Sequence, residues 1–345
     1  MSILPKHLPF IIPFTAIACL TGCFESSAGT DQAGAMRGIR PDAELAGFFD
    51  LKALRDSKIN QLFEAKYPDQ VQDLEDLGPI GQKIKEITGL SRTNFVSASF
   101  SVTNFIALGE DDFDNGFLLA SIKVNKPLTG KQIKEAFEAI AAENGEAIDL
   151  TIETRGGIDF IEIPRQPMAP DFHAAVESGE NGALVFIGDR SSVVAAATGT
   201  LAGASGSLVE RGSSMLPNSD GWITFVASDG VKEKLKEGLS GGQMPFPGAA
   251  ALVGFQAIGM SMAADSSLEI KVALELANEN DALTVQGLLN GLVIAMAKGQ
   301  IQQQFGKLPS FMEQLTASVD KASVSLGTTF SAEDLEFLSN LNPGM

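Results

Sequence analysis

Residues 268–276 read Leu-Glu-Ile-Lys-Val-Ala-Leu-Glu-Leu, a near-regular alternation of apolar and polar side chains. Successive side chains point to opposite faces of a strand, so this segment predicts a strand with one buried and one wet face. Such a strand needs paired neighbours and a cover for its apolar side, which excludes a helical bundle or a coiled coil. The neighbours are legible. Gly221–Ser228 and Val253–Ala263 predict two further strands, and Asp265-Ser266-Ser267 predicts the turn into the alternating one. The cover is a helix over Asp281–Lys298, whose Val285, Leu288, Leu289, Leu292 and Met296 fall on one stripe. Gly230–Gly238 predicts a short helix, Pro309–Leu315 another, and Ala322–Phe330 a strand. Ser331 followed three residues later by Asp334 predicts the cap of a last helix over 332–339.

The first half runs in a similar order. Glu44–Leu51 predicts a strand, followed by a helix carrying Leu54, Ile59 and Leu62, and by helical pieces over Asp69–Leu77 and Pro79–Thr88. Asn94–Leu108 and Gly116–Val124 predict a strand pair. Thr129 then caps a helix to Asn144 with Ile133, Phe137, Ile140 and Ala141 on one face. Ala147–Thr154 and Ile158–Ile163 flank Arg155-Gly156-Gly157, a hairpin signal. Ala183–Ile187 predicts a last strand, with a small-residue helix over Ser191–Leu201 behind it. The repetition predicts an α+β fold of two similar modules of β-α-β-β-α-β type. Each is expected as a ferredoxin-like antiparallel sheet with helices on one face. The modules are expected over 41–206 and 207–345, with the Gly- and Ser-rich 201–217 between them. The competing arrangement is one continuous mixed sheet across both halves.

The N-terminal end gives an address. Lys6 and His7 precede a mostly apolar run from Leu8 to Leu20, shorter than the ~20 residues a membrane-spanning helix requires and suited to a signal peptide. The run ends in Leu20-Thr21-Gly22-Cys23. This tetrapeptide resembles the lipobox of bacterial lipoproteins. The resemblance implies that residues 1–22 are removed and that Cys23 is the lipid attachment site, carrying a diacylglycerol thioether and usually an acylated amine. Two or three acyl chains hold a protein stably on a bilayer where one does not. Phe24, in place of the Asp that often marks inner-membrane retention, favours the outer membrane. Residues 23–40 have no apolar periodicity and predict a flexible tether.

Processing empties the inventory of reactive side chains. The leader takes away Lys6, His7 and Cys19 and no acid, so the mature chain is one unit more negative than the −18 of the full sequence. Cys23 is consumed by lipid, and His173 is the remaining histidine. No Cys nucleophile, no Cys or multi-His metal site and no cofactor is expected. With 43 acidic against 25 basic residues, a nucleic-acid surface is disfavoured, and the acyl chains alone are expected to hold the membrane. One Trp and one Tyr make a poor platform for sugars.

The motifs yield little chemistry. Leu239-Ser240-Gly241-Gly242-Gln243 spells the signature of ABC-type ATPases, but no phosphate-cradling loop accompanies it, so it reads as a loop. Glu110–Gly116 is acid-rich but fails the calcium-loop register, and Asn115-Gly116 reads as a hairpin turn. His173 lacks a nucleophile elbow and reads as exposed or capping. Gly287 and Gly291 read as letting a helix lie close on a sheet, since the apolar run is too short to span a bilayer. Met244–Ala250 is an apolar, Pro-stiffened stretch that reads as a tucked loop or as a lip touching lipid or a partner. The expectation is a non-catalytic, membrane-anchored envelope lipoprotein with an unknown protein or ligand partner. The alternative is a periplasmic carrier of hydrophobic small molecules such as lipid.

Overall fold

The computed structural model describes residue 34 and residues 36–68, 73–104, 106–107, 116–143, 145, 147–164, 172–201, 206–216, 218–240 and 249–341. Helices and antiparallel strands are mixed throughout, an α+β fold. The chain divides into two compact units. The first comprises the described residues within Met1–Ala43, Phe48–Asp56 and Glu64–Ala204; the second comprises those within Glu44–Gly47, Ser57–Phe63 and Ser205–Met345. Strand β1 (Leu45–Phe49) and helix α2 (Lys58–Lys66) are each divided between the units, and α1 (Leu51–Asp56) belongs to the first.

The first unit carries β2 (Phe95–Thr103), β3 (Phe117–Val124), β4 (Thr151–Arg155), β5 (Ile158–Glu162), β6 (Phe172–Gly179) and β7 (Gly182–Asp189). They pair antiparallel in the order β2-β3-β7-β6-β5-β4. The β4–β5 hairpin turns at Gly156 and Gly157, both at positive φ (59° and 82°), the conformation a type I′ turn demands. Ile122, Val124, Ile161, Val176 and Val185 face helices α3 (Pro79–Thr88) and α4 (Gly130–Glu143), packing with Ile84, Ile133 and Phe137. Leu119, Phe160, Ala175 and Phe186 face the other way, against Val193, Ala196 and Ala197 of α5 (Arg190–Ala197). Helices therefore cover both faces of this sheet, not one as the sequence suggested. The reason lies in β7, whose Ala-Leu-Val-Phe-Ile run is apolar at every position, so neither face can be left in water. Strand β6 was not foreseen; its core is the small trio Ala174, Ala175 and Val176, all fully buried.

Folded structure also begins ahead of Pro41. Met36–Gly38 form a turn of 3₁₀ helix and Ile39 is buried. Gly38 lies so close to the sheet that an added Cβ would sit 2.6 Å from Ser99 Oγ and 2.7 Å from Ser121 Oγ. The Ser101 hydroxyl donates to Gly38 O (3.0 Å), and Arg40 N donates to Ser101 Oγ (3.1 Å). Arg37 donates to the carbonyls of Ala196 and Ala197, where the negative end of α5 favours a cation, and pairs with Glu177 at 2.7 Å. Arg40 reaches Ser192 and forks onto Asp42, whose hydrogen bonds hold that carboxyl below the ordinary carboxylate range. Residues 36–40 are thus part of the body, not of the tether.

The second unit carries β8 (Gly221–Val226), β9 (Ala257–Ala264), β10 (Leu268–Glu275), β11 (Thr316–Asp320) and β12 (Ser323–Phe330), antiparallel in the order β8-β9-β10-β12-β11. Helix α6 (Gly206–Ser213) occupies part of the stretch read as a boundary, and its Gly212 backbone seats on the buried Trp222 ring. Helix α7 (Asp229–Ser240) precedes β9. After β10 comes a long helix in three parts: α8 (Glu279–Leu288), a π-helical turn (Leu289–Ile294) and α9 (Ala295–Phe305). Helices α10 (Ser310–Gln314) and α11 (Ala332–Leu341) complete the unit. The Ser331–Asp334 cap forms as expected, with Asp334 also accepting from Ser310 N and Oγ. Burial would raise the Asp334 carboxyl, but these hydrogen bonds hold it below its ordinary range.

The two units share a connection order. In each, a hairpin is followed by a helix, and the chain returns so that its last strand pairs beside the hairpin's second strand: β7 beside β3, and β12 beside β10. The first unit interposes four strands after its helix and the second only two, so neither is a four-stranded ferredoxin sheet.

Candidate functional site: an outward apolar helix face

The long helix Glu279–Phe305 spans 27 residues, and only 17% of its most apolar 18-residue stretch is buried. Its start is well determined: Asn278 caps it by accepting from Asp281 N at 3.0 Å. Ala282, Val285 and Leu289 pack on the sheet with Leu274, Leu276, Val324 and Leu326. From there the periodicity predicts Leu292 and Met296 as the next buried positions. The structure buries Ile294 instead, leaving Leu292 44%, Val293 55% and Met296 55% exposed. The physical reason is the π turn over Leu289–Ile294. A π turn takes in extra residue length, so the inner side passes from 285 to 289 to 294, and the aliphatic residues between rotate outward. With Leu283 (49% exposed) they form one solvent-facing apolar strip.

The inner side of this helix is partly polar. Asn290 Nδ2 donates to Ala317 O (2.9 Å) while its Oδ1 accepts from Ala317 N (2.8 Å), so one side-chain amide pairs with a strand backbone as a further strand would. Gln286 Nε2 donates to the same carbonyl at 3.1 Å. Strand β11 pairs with β12 on one side, and these amides cap its other edge, which would otherwise be open to another chain. Lys298 turns back to donate to Glu313 O, and Phe305 packs edge-on against Phe337 with ring centroids 5.1 Å apart. The helix therefore meets the sheet with a mixed side, Ala282, Val285, Leu289 and Ile294 beside two amides and a lysine, and still carries leucine, valine and methionine outward. It also lies in the longest acid-free stretch of the sequence, since no Asp or Glu occurs between Asp281 and Glu313, where the charged residues are Lys298 and Lys307.

Several residues singled out in the sequence fall elsewhere. Cys23, the leader, Met244–Gly248, Gly241–Gln243 and Glu110–Asn115 lie outside the described residues. His173 is buried in β6, opposite Gly188 on one side and Glu162 on the other, not exposed or capping. Its strand is enclosed from both faces, which fixes it as a sheet residue. Gly287 and Gly291 do not bring the helix close to the sheet: a Cβ at either meets nothing within 4 Å. They sit on or beside the outward strip. The helix is also longer than the predicted Asp281–Lys298, so its length suffices to cross a bilayer, by length and composition alone. Among the described residues no group of three or more His, Cys, Asp or Glu could hold a metal ion. Ile294 was missed because a helical wheel assumes a uniform 100° step that the π turn breaks, and Gln286 and Asn290 because amides read as solvent-facing residues.

No protein family and no curated protein matches the sequence. Among solved structures, crystal form I of TP0453 aligns with 91% of this chain and 99% of its own at a TM-score of 0.40 and 11% identity. A likeness that slight carries no conclusion.

Proposed function

We propose that the protein is a membrane-anchored envelope lipoprotein whose body is a non-catalytic binding or structural module built from two related α+β units. The observation that carries this reading is the juxtaposition of two apolar features. Leu20-Thr21-Gly22-Cys23 closes the leader, and the body exposes Leu283, Leu292, Val293 and Met296 on an uncharged helix face. Exposed apolar surface of this kind marks an interaction site on a folded protein. The shared connection order supports reading the units as repeats of one module. Intact mass of the membrane-extracted protein tests the anchor. A chain beginning at Cys23 and carrying acyl mass is expected; an unmodified chain beginning upstream overturns it.

A second reading, a carrier of hydrophobic molecules, is favoured by the second sheet. Ile258, Met260, Met262, Ile270, Val272 and Leu274 share one face of β9 and β10, and Ile258 is 39% exposed. An incompletely covered apolar face could receive an acyl chain. Native mass spectrometry of the soluble body decides between the two readings: a co-purifying lipid-sized adduct favours the carrier, a clean mass the module.

A further inference from the structure

We infer that the outward face of the long helix Glu279–Phe305 is a docking surface for the lipid bilayer, lying in the plane of the membrane interface and not spanning it. Three observations carry this. The first is the apolar strip of Leu283, Leu292, Val293 and Met296, with Gly287, Gly291 and Ala295 beside it and no charged side chain among them. A helix with such a face lies with that face at the boundary between headgroups and acyl chains.

The second is charge. In a chain of net charge −18, an anionic bilayer repels most of the surface. The acid-free stretch from Ala282 to Met312, with Lys298 and Lys307, coincides with the exposed strip. Glu279 and Asp281 stand at one end of the helix, ahead of the strip, so the strip itself offers a bilayer no carboxylate. The third is the amide clamp. Asn290 and Gln286 hold the inner side on the backbone of β11, so the helix presents its strip while remaining fastened to the sheet. Crossing the bilayer would require breaking those bonds and burying Asn290, Gln286 and the run Gln302–Gln304 in hydrocarbon.

The inference deepens the anchored reading. If Cys23 is acylated, the tether to Met36 reaches at most about 45 Å of extended chain. That confinement gives a weak apolar face a high effective concentration of membrane. The acyl chains would then not hold the surface alone, and the helix would fix how the body faces the bilayer.

The test removes the anchor, so that it can fail independently of the lipoprotein reading. The mature chain from residue 23 with Cys23→Ser retains every described residue and has no cysteine. Single cysteines are then introduced as Leu283→Cys, Leu292→Cys or Met296→Cys, with Lys131→Cys on α4 as the control. Each carries an environment-sensitive fluorophore and is mixed with vesicles of phosphatidylglycerol and phosphatidylethanolamine in equal parts. The three helix sites are expected to shift to the blue and to be quenched by brominated acyl chains, while the site at 131 does neither. Leu292→Glu with Met296→Glu is expected to lower vesicle partitioning at least about tenfold with an unchanged melting temperature, since both side chains are exposed. Labels that vesicles leave unmoved overturn the inference. A blue shift that follows protein concentration in vesicle-free buffer also overturns it and assigns the face to a second copy.

Discussion

Helix α4 and the long helix Glu279–Phe305 follow hairpins at corresponding places in the two units, yet they differ in what they leave outside. Helix α4 turns Ile133 and Phe137 onto the sheet and pairs Lys131 with Glu135 and Lys134 with Glu138 along its wetter side. The long helix sets Val285, Leu289 and Ile294 on the sheet together with two amides, and turns a second set of aliphatics to solvent. The contrast shows that fastening a helix to a sheet and burying apolar surface are separable tasks. In α4, Ile133 and Phe137 bury apolar surface on the sheet while Gly130 N donates to Asp159 at the start of the helix. In the long helix polar bonds to an edge strand add to the packing of Val285, Leu289 and Ile294, and a second apolar set is left over for another surface.

Three substitutions bear on this contrast. The largest effect is expected under α4, where Ile161 is completely buried. Ile161→Ala should cost about 2–5 kcal/mol in denaturant unfolding, because the closed core there cannot refill the space. A loss under about 1 kcal/mol would mean that the first unit is no better packed than the second. Next comes the clamp. Asn290→Ala leaves Ala317 N and O without the side-chain amide and should cost roughly 1–3 kcal/mol. The Ala317 amide should also exchange with solvent faster, and unchanged exchange would show that the clamp is ornamental. The smallest effect belongs to the outward strip: Leu292→Ala should move stability by no more than about 0.5 kcal/mol. A loss like that at Ile161 would place Leu292 in a core and erase the contrast.

These positions also show what the sequence could disclose. The faces of α4, the Gly156-Gly157 turn, the Ser331–Asp334 cap and the presence of β10 were readable, because each depends on a local period or on a few neighbouring side chains. Strand β10 does not, however, divide into a buried and a wet face: all but Glu269 are half-buried. Strand β6 was not readable: Ala174 and Ala175 carry little apolar signal, and their burial comes from strands distant in sequence. The outward strip was hidden for a different reason. The periodicity places two of its residues, Leu292 and Met296, on the sheet-facing stripe with Val285 and Leu289, and does not pick out Leu283 or Val293. The π turn carries Leu292 and Met296 out to solvent while Val285 and Leu289 stay packed. His173 looked isolated in the sequence because its neighbours, Gly188 and Glu162, are assembled only when β6 pairs.

The close seating of residues 36–40 has a mechanical side. A pull on the N-terminal end of the body arrives first at Arg37, Gly38 and Arg40, which are bonded at once to Glu177 on β6, to the end of α5 and to Ser101 on β2. Bonds that share a force must break together, whereas bonds met one after another peel apart under a much smaller one. Gly38 sharpens this, since no bulkier residue could sit against Ser99 and Ser121 and keep the segment flush. A protein moored by its N-terminal end would thus be tugged as a whole and would not be unravelled from its first strand.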